Sequence, residues 1–215
     1  MIRLDATGAE VEEVVEEVAR VVFAGGTVIF PTDTVYGLGC DPMRLASVER
    51  IFALKNRPRT KALSLHLASV AELLEYARGN ALATMVARRF LPGPLTIVVR
   101  RPDFIDPHVS GGLPSVGVRV PDHALCRAIL ERCGPLAATS ANISGAASFY
   151  GVEGVTELPE ADLFVDAGPT PLRAESTVLD LTHHDARLLR EGVITTEMLE
   201  QQIGHVTRPL FEEAK

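Results

Sequence analysis

The stretch GGTVIFPTDTVYGLGCDP, residues 25–42, says most about how this chain folds. Its two leading glycines end a preceding helix, and TVIF at 27–30 is a β-branched run typical of a buried strand. Residues 31–39 follow that strand as a predicted loop rich in hydroxyl side chains. Loops at strand ends often build functional sites, although Asp33 and Thr34 could equally satisfy the backbone of an ordinary turn.

Valines at helical spacing predict an amphipathic helix on the N-terminal side of this stretch. Five of them would share one face, with glutamates opposite: Val11, Val14, Val15, Val18 and Val22. Helices are also expected near 45–55, twice between 69 and 90, near 122–132, and from about 195, where Thr195 is a suitable cap. Further strands are expected at 62–67, 95–100, 116–120, 135–139, 162–166, 176–181 and 186–190.

The late strands follow one another with little helix between them, so the sheet should be mixed parallel and antiparallel. The chain shows no internal repeat and no low-complexity linker. We therefore expect one α/β domain over residues 1–205 and a short, loose C-terminal tail over 206–215.

Composition excludes several classes of protein. The 215 residues are 47% hydrophobic, and 21 basic against 28 acidic side chains give a net charge of −7, so any RNA contact would need a local patch. The longest apolar runs are too short for a membrane span and the first residues are acidic, so we expect a cytoplasmic protein. The three cysteines, Cys40, Cys126 and Cys133, lack CxxC spacing and suggest neither a disulfide framework nor a metal site.

No standard phosphate-binding loop is present: the sequence contains no GxxxxGK(S/T) motif, and Gly37-Leu38-Gly39 lacks the third glycine of a dinucleotide fingerprint. A bound nucleotide would have to be held by side-chain cations and hydroxyls. The segment KNRPRTK at 55–61 places a cation at every second position: Lys55, Arg57, Arg59 and Lys61. If this segment is extended, the four cations share one face and suit a polyanion. The alternative is a solvated charged loop.

Other polar groups stand in apolar surroundings. Ser64 and His66 alternate with leucines on a predicted strand, where a lone histidine is more often structural than functional. ATSANISG at 138–145 offers small donors to a phosphate or ribose, or forms ordinary turns. Arg119 and Arg190 lie in apolar strands, and each needs an anion from a partner residue or from a ligand.

Six segments in order resemble the YrdC-type threonylcarbamoyl-adenylate synthase family over residues 20–195. They are GGTVIFPTDTVYGLGCDP, IFALKNRPRTKALSLHL, LPGPLTIVV, VGVRVPDH, ATSANISG, and ESTVLDL followed by LLREG. The resemblance implies a twisted open sheet with flanking helices around a large, positively lined cavity, in the single-domain form of the family.

The same resemblance implies roles for individual residues. Those implied for threonine binding are Thr34, His66, Arg119 and Ser176. Those implied for ATP binding are Arg57, Lys61, Ser115, Ser140, Ser148 and Arg190. Lys55 and Arg57 would act on the phosphates during catalysis. The sequence departs from some relatives at Lys61 and Ser115, where these carry another polar residue, and at Ala138, where some supply a hydroxyl to threonine.

The implied reaction condenses L-threonine, bicarbonate or CO2, and ATP to threonylcarbamoyl-AMP and pyrophosphate, with Mg²⁺ on the nucleotide. A threonylcarbamoyl transferase complex would then modify adenosine in tRNA, which the chain would meet only indirectly or weakly. Two rivals remain. One is a non-catalytic module that binds double-stranded RNA or tRNA. The other is a carbamoyl-phosphate enzyme like those of hydrogenase maturation, whose acylphosphatase-like and CxxC flanks are missing here.

Overall fold

The computed structural model describes residues 1–152 and 157–208. Within them the chain forms ten strands and six helices. The strands are β1 (Ile2–Asp5), β2 (Val28–Phe30), β3 (Gly37–Cys40), β4 (Ser64–His66), β5 (Leu95–Arg100), β6 (Ser115–Arg119), β7 (Leu136–Ser140), β8 (Leu163–Asp166), β9 (Thr177–Asp180) and β10 (Arg187–Arg190). The helices are α1 (Val11–Phe23), α2 (Leu45–Lys55), α3 (Val70–Tyr76), α4 (Ala81–Phe90), α5 (Ala124–Cys133) and α6 (Thr196–Ile203).

The strands form one open sheet in the order β1-β8-β2-β3-β7-β4-β6-β5-β9-β10. Four neighbouring pairs run parallel: β1 with β8, β2 with β8, β4 with β6, and β5 with β9. The other five pairs run antiparallel. The mixed α/β sheet predicted from the order of elements is therefore confirmed.

Two hydrophobic clusters hold the helices to the sheet. In the smaller one, Val14, Val18 and Val22 of α1 lie with Ile129 and Leu130 of α5 and with residues of β2, β7 and β8. The predicted apolar face of the first helix is thus confirmed, except at its first valine, which is exposed. The larger cluster contains apolar side chains of the central strands.

Strands β1 and β3 were not predicted, and the glycines of β3 explain why that strand was missed. Gly37 and Gly39 lie on β3, which pairs with β2 on one side and β7 on the other, so the last three residues of the predicted loop, 37–39, are strand. A Cβ at Gly39 would lie 2.8 Å from Cε1 of Phe30, and one at Gly37 would lie 3.0 Å from its Cζ. Glycine leaves room for the ring but has low strand propensity, so the strand carries no propensity signal.

The C-terminal end is partly attached to the sheet. Thr195 caps α6 as predicted, because its hydroxyl accepts a hydrogen bond from the Met198 amide at 3.3 Å. The tail expected to be loose from residue 206 instead forms a bridge at Thr207, whose carbonyl accepts from Leu188 at 2.8 Å. The rest of that predicted tail, 209–215, lies outside the described residues. Among the helices described, none is long and apolar enough to cross a membrane.

Candidate active site

A cavity of about 440 Å³ lies against one face of the central sheet. Strand side chains alternate between the two faces, so residues two apart reach the same side. On β4, Ser64 and His66 face the cavity while Leu65 lies in the hydrophobic core; on β6, Gly117 and Arg119 face it while Val118 is buried. The predicted separation of polar and apolar faces on SLHL is therefore confirmed.

Most of the residues proposed from the resemblance meet in this wall. They are Arg57, His66, Ser115, Arg119, Ser140, Ser176 and Arg190. Thr34 and Ser148 lie one hydrogen bond behind it, on Arg119 and Glu175 respectively. Lys55 and Lys61 are not among the wall residues that the structure describes. Elements far apart in sequence thus converge on one cavity.

Arg119 is the most tightly held cation of the wall. Its Nη2 donates to Oδ1 of Asp33 at 2.5 Å, its Nη1 to the Thr34 hydroxyl at 2.8 Å, and its Nε to the Gly93 carbonyl at 3.2 Å. Both charged side chains are 4% exposed. Burial lowers the pKa of Arg119, and the carboxylate of Asp33 opposes that shift. A guanidinium has five N–H donors, so two remain beyond these three contacts with described residues.

Asp33 was missed as a site residue. A cation on an apolar strand was expected to need an anion, and the structure identifies that anion as Asp33. Its second oxygen, Oδ2, is buried and has no hydrogen-bond partner among the described residues. The only sequence signal was the position of Asp33 in the hydroxyl-rich stretch after β2.

His66 lies beside Arg119 in the register of β4 and β6. Burial, with a smaller contribution from the charge of Arg119, lowers the pKa of His66 from 6.5 to about 3, so the imidazole is neutral near pH 7. Its ring meets Phe30 edge-on at 5.8 Å between centroids. Nδ1 is buried and, within the part of the chain described, has no hydrogen-bond partner. The histidine contributes a neutral polar edge to the cavity.

Arg190, another cation of the cavity wall, contacts both Ser176 and Glu175. Its Nη2 donates to the Ser176 carbonyl at 2.8 Å, and its Nη1 lies 2.6 Å from Oε2 of Glu175. The Ser148 hydroxyl donates to the other oxygen of Glu175 at 2.6 Å. Burial, followed by the charge of Arg190, lowers the pKa of Arg57, and both guanidinium groups belong to the cavity wall.

The predicted row of four cations on one face is wrong. Helix α2 continues to Lys55, and Asn56 caps it in the left-handed conformation with φ of 50°, so the segment is not extended. Arg59 forms an ion pair with Glu49 and is largely exposed. Arg57 reaches the cavity wall while its guanidinium donates to the carbonyls of Lys61 and Ala62 at 3.0 and 2.8 Å.

Lys55 is buried behind the wall rather than in it. Its Nζ donates to the carbonyls of Ser140 and Asn142, both at 2.5 Å, and to Oδ1 of Asn142 at 3.2 Å. Burial, and then the charge of Arg57, lowers the pKa of Lys55 to about 7. Three acceptors match the three donors of an ammonium group. Lys55 therefore joins α2 to the loop after β7 and places a titratable cation close to the cavity.

The fold and site define a class of α/β proteins in which an open mixed sheet carries an arginine-lined cavity on one face. The family model for Sua5/YciO/YrdC, described as "Telomere recombination", matches residues 20–192. The chain belongs to this family.

Several relatives carry the name threonylcarbamoyl-AMP synthase. The protein from Pyrococcus abyssi is 40% identical over 186 residues, covering 85% of this chain and 55% of the relative. The protein from Bacillus subtilis is 38% identical over 207 residues, covering 93% and 60%. The crystal structure of P. abyssi Sua5 complexed with L-threonine has a TM-score of 0.91 at 36% identity, covering 97% of this chain and 63% of that one. The chain thus spans less than two thirds of these relatives.

Proposed function

We propose that this chain is an L-threonylcarbamoyladenylate synthase, a nucleotidyltransferase that uses ATP, L-threonine and bicarbonate or CO2. The observation that carries the proposal is the arrangement around Arg119, a buried guanidinium fixed in the cavity wall with two N–H donors to spare. Relatives named threonylcarbamoyl-AMP synthase, and a threonine complex of Sua5 with the same fold, support this reading.

Threonine is proposed to bind at the Arg119 end of the cavity. The two remaining donors of the guanidinium suit a carboxylate, which accepts such a pair of hydrogen bonds side by side. Thr34 holds the guanidinium in orientation, and the neutral His66 and the hydroxyl of Ser176 provide polar contacts. Because His66 carries no charge near pH 7, it adds no second cation to compete for the carboxylate.

ATP is proposed to bind toward Arg57 and Arg190. Guanidinium groups are well suited to phosphate, since each presents a planar set of donors. The hydroxyls proposed to assist are Ser115, Ser140 and Ser148, and Lys61 is proposed to reach the nucleotide from outside the wall. Lys55 is proposed to act from behind the wall through its charge. Mg²⁺ would arrive bound to the oxygens of the triphosphate.

The chemistry then needs no covalent enzyme intermediate. The threonine amine adds to CO2 and loses a proton, which gives a carbamate. A carbamate oxygen attacks the α-phosphorus of ATP, the bond from that phosphorus to the bridging oxygen breaks, and pyrophosphate leaves. Arg57 and Lys55 would offset the charge that builds on the phosphates, and the cavity would hold both reactants in line.

The product is proposed to pass to a threonylcarbamoyl transferase complex that modifies adenosine in tRNA, and the chain is proposed to work in the cytoplasm. Because the product is a mixed anhydride of a labile carbamate, we expect the threonylcarbamoyl group to be transferred rapidly. Direct contact with tRNA is proposed to be weak at most, since the chain carries a net charge of −7.

The experiment is pyrophosphate release from ATP by the purified chain, with threonine and bicarbonate each present or omitted. Release should require both. Arg57→Ala and Arg119→Ala should each abolish it while the circular dichroism spectrum is retained. Arg59→Ala is the matched control, because it removes an exposed cation from the same segment and should leave turnover unchanged. Release that ignores threonine would refute the proposal; tight, salt-dependent RNA binding that survives Arg119→Ala would favour the RNA-binding alternative.

A further inference from the structure

A carboxylate lies among the cations of the proposed nucleotide site. Glu175 is part of the cavity wall, and both of its oxygens are engaged: Oε2 by Arg190 and Oε1 by the Ser148 hydroxyl, each at 2.6 Å. It also lies within electrostatic reach of Lys55, whose pKa its charge raises against the effect of burial. Two groups assigned to the nucleotide, Arg190 and Ser148, therefore contact one negative side chain of the protein itself, and its charge also acts on Lys55.

The backbone of Glu175 is fixed, whereas its carboxylate is not enclosed. The Val193 amide donates to the Glu175 carbonyl at 3.1 Å, and a Cβ at Gly192 would lie 2.3 Å from that same oxygen, so the two chain segments are in close contact. The side chain, in contrast, is 38% exposed. Rotation about the side-chain bonds could withdraw the carboxylate from Arg190 and Ser148 without any movement of the backbone.

We propose that Glu175 sets the affinity of the site for phosphates: its carboxylate holds the position between Ser148 and Arg190 that a phosphate oxygen takes, and it must withdraw when nucleotide binds. The inference rests on the proposed function, because it assumes that this end of the cavity takes ATP. Carboxylate and phosphate accept the same paired hydrogen bonds from a guanidinium, and two anions repel each other there. Competition of this kind weakens binding of ATP and favours release of pyrophosphate.

The test is the affinity of the purified chain for ATP and for inorganic pyrophosphate, measured by isothermal titration calorimetry with and without Mg²⁺. Glu175→Gln keeps the shape of the side chain and an acceptor for Ser148 but removes the charge. Because a partly exposed ion pair is worth at most about one factor of five in an equilibrium, the variant should bind both ligands up to about fivefold more tightly. Glu175→Ala should act in the same direction.

Asp180→Asn is the charge-matched control. Asp180 is the other carboxylate of the described wall. Within the described part of the chain its side chain contacts Thr182 and His183 but neither Arg57 nor Arg190, so its removal should change affinity much less. Equal tightening in both variants would show that net charge is responsible and would overturn the inference. So would unchanged affinity in Glu175→Gln, or weaker binding confined to the Mg²⁺ samples, which would make Glu175 a metal ligand. If the wild type binds neither ligand, the proposed function itself fails.

Discussion

Replacing Asp33 with asparagine should destabilise the fold more than any change to a surface ion pair. The side chains of Asp33 and Arg119 are each 4% exposed and lie 2.5 Å apart. Without the carboxylate, the guanidinium keeps only neutral acceptors, the Thr34 hydroxyl and the Gly93 carbonyl. Removing one partner of a buried pair costs about 3–5 kcal/mol, because the remaining charge stays desolvated without compensation.

The cost can be assigned to the pair with a double-mutant cycle. Asp33→Asn, Arg119→Met and the double variant would be unfolded in urea, with circular dichroism as the readout. Each single change should lower the free energy of unfolding by about 3 kcal/mol or more, because each leaves a buried charge alone. The double variant leaves no buried charge unpaired. Its loss in free energy of unfolding should therefore be about 2–3 kcal/mol smaller than the sum of the two single losses.

An exposed pair provides the control. Arg20 contacts Glu17 at 2.6 Å, but their side chains are 63% and 34% exposed, so Glu17→Gln should have no measurable effect on the unfolding curve. Additive costs in the cycle would refute the reasoning, because they would mean that Asp33 and Arg119 stabilise the fold independently. A small loss in Asp33→Asn alone would refute it as well.

The pKa of Lys55 is lowered to about 7, so the affinity of the wild type for ATP, measured by calorimetry, should weaken severalfold as the pH rises through about 7. Lys55→Arg should abolish this pH dependence, because arginine stays charged. An equal pH response in the variant would contradict the prediction. The pKa of His66 falls from 6.5 to about 3 on folding, so the free energy of unfolding of the wild type should drop by a few kcal/mol as the pH is lowered between these values. His66→Gln should reduce this drop. Urea midpoints that fall equally with pH in the wild type and the variant would contradict the prediction. Gly192→Ala should cost about 1–3 kcal/mol in thermal unfolding, since its Cβ would lie 2.3 Å from the Glu175 carbonyl oxygen; an unchanged midpoint would contradict that contact.

Helices and most strands could be read from the sequence because their signals are local. The valines of α1, the SLHL alternation on β4 and the cap at Thr195 all depend on neighbours within a few positions. β3 was not predicted because its sequence, GLGC, forms a strand through contact with the Phe30 ring and pairing with β2 and β7. Its two glycines carry no strand propensity of their own.

The candidate site divides in the same way. Most of the residues that the resemblance named meet in the cavity wall, whereas the shared face that the charge alternation predicted for Lys55 and Arg59 does not form. An alternating charge pattern predicts a shared face only if the chain is extended, and here α2 continues to Lys55 before Asn56 turns the chain. The ion pair with Glu49 then keeps Arg59 at the surface.

The sequence by itself determined which chemical groups are available: cations without a phosphate-binding loop, and hydroxyl side chains after strands. It also determined the family to which the chain belongs. Only the tertiary structure decided which charges meet. Asp33 and Arg119 are 86 positions apart and became a buried pair when β2 and β6 took their places in one sheet. Glu175 faces Arg190 because β9 and β10 are antiparallel neighbours. Such pairings depend on long-range strand order, whereas propensity and periodicity report only on near neighbours along the chain.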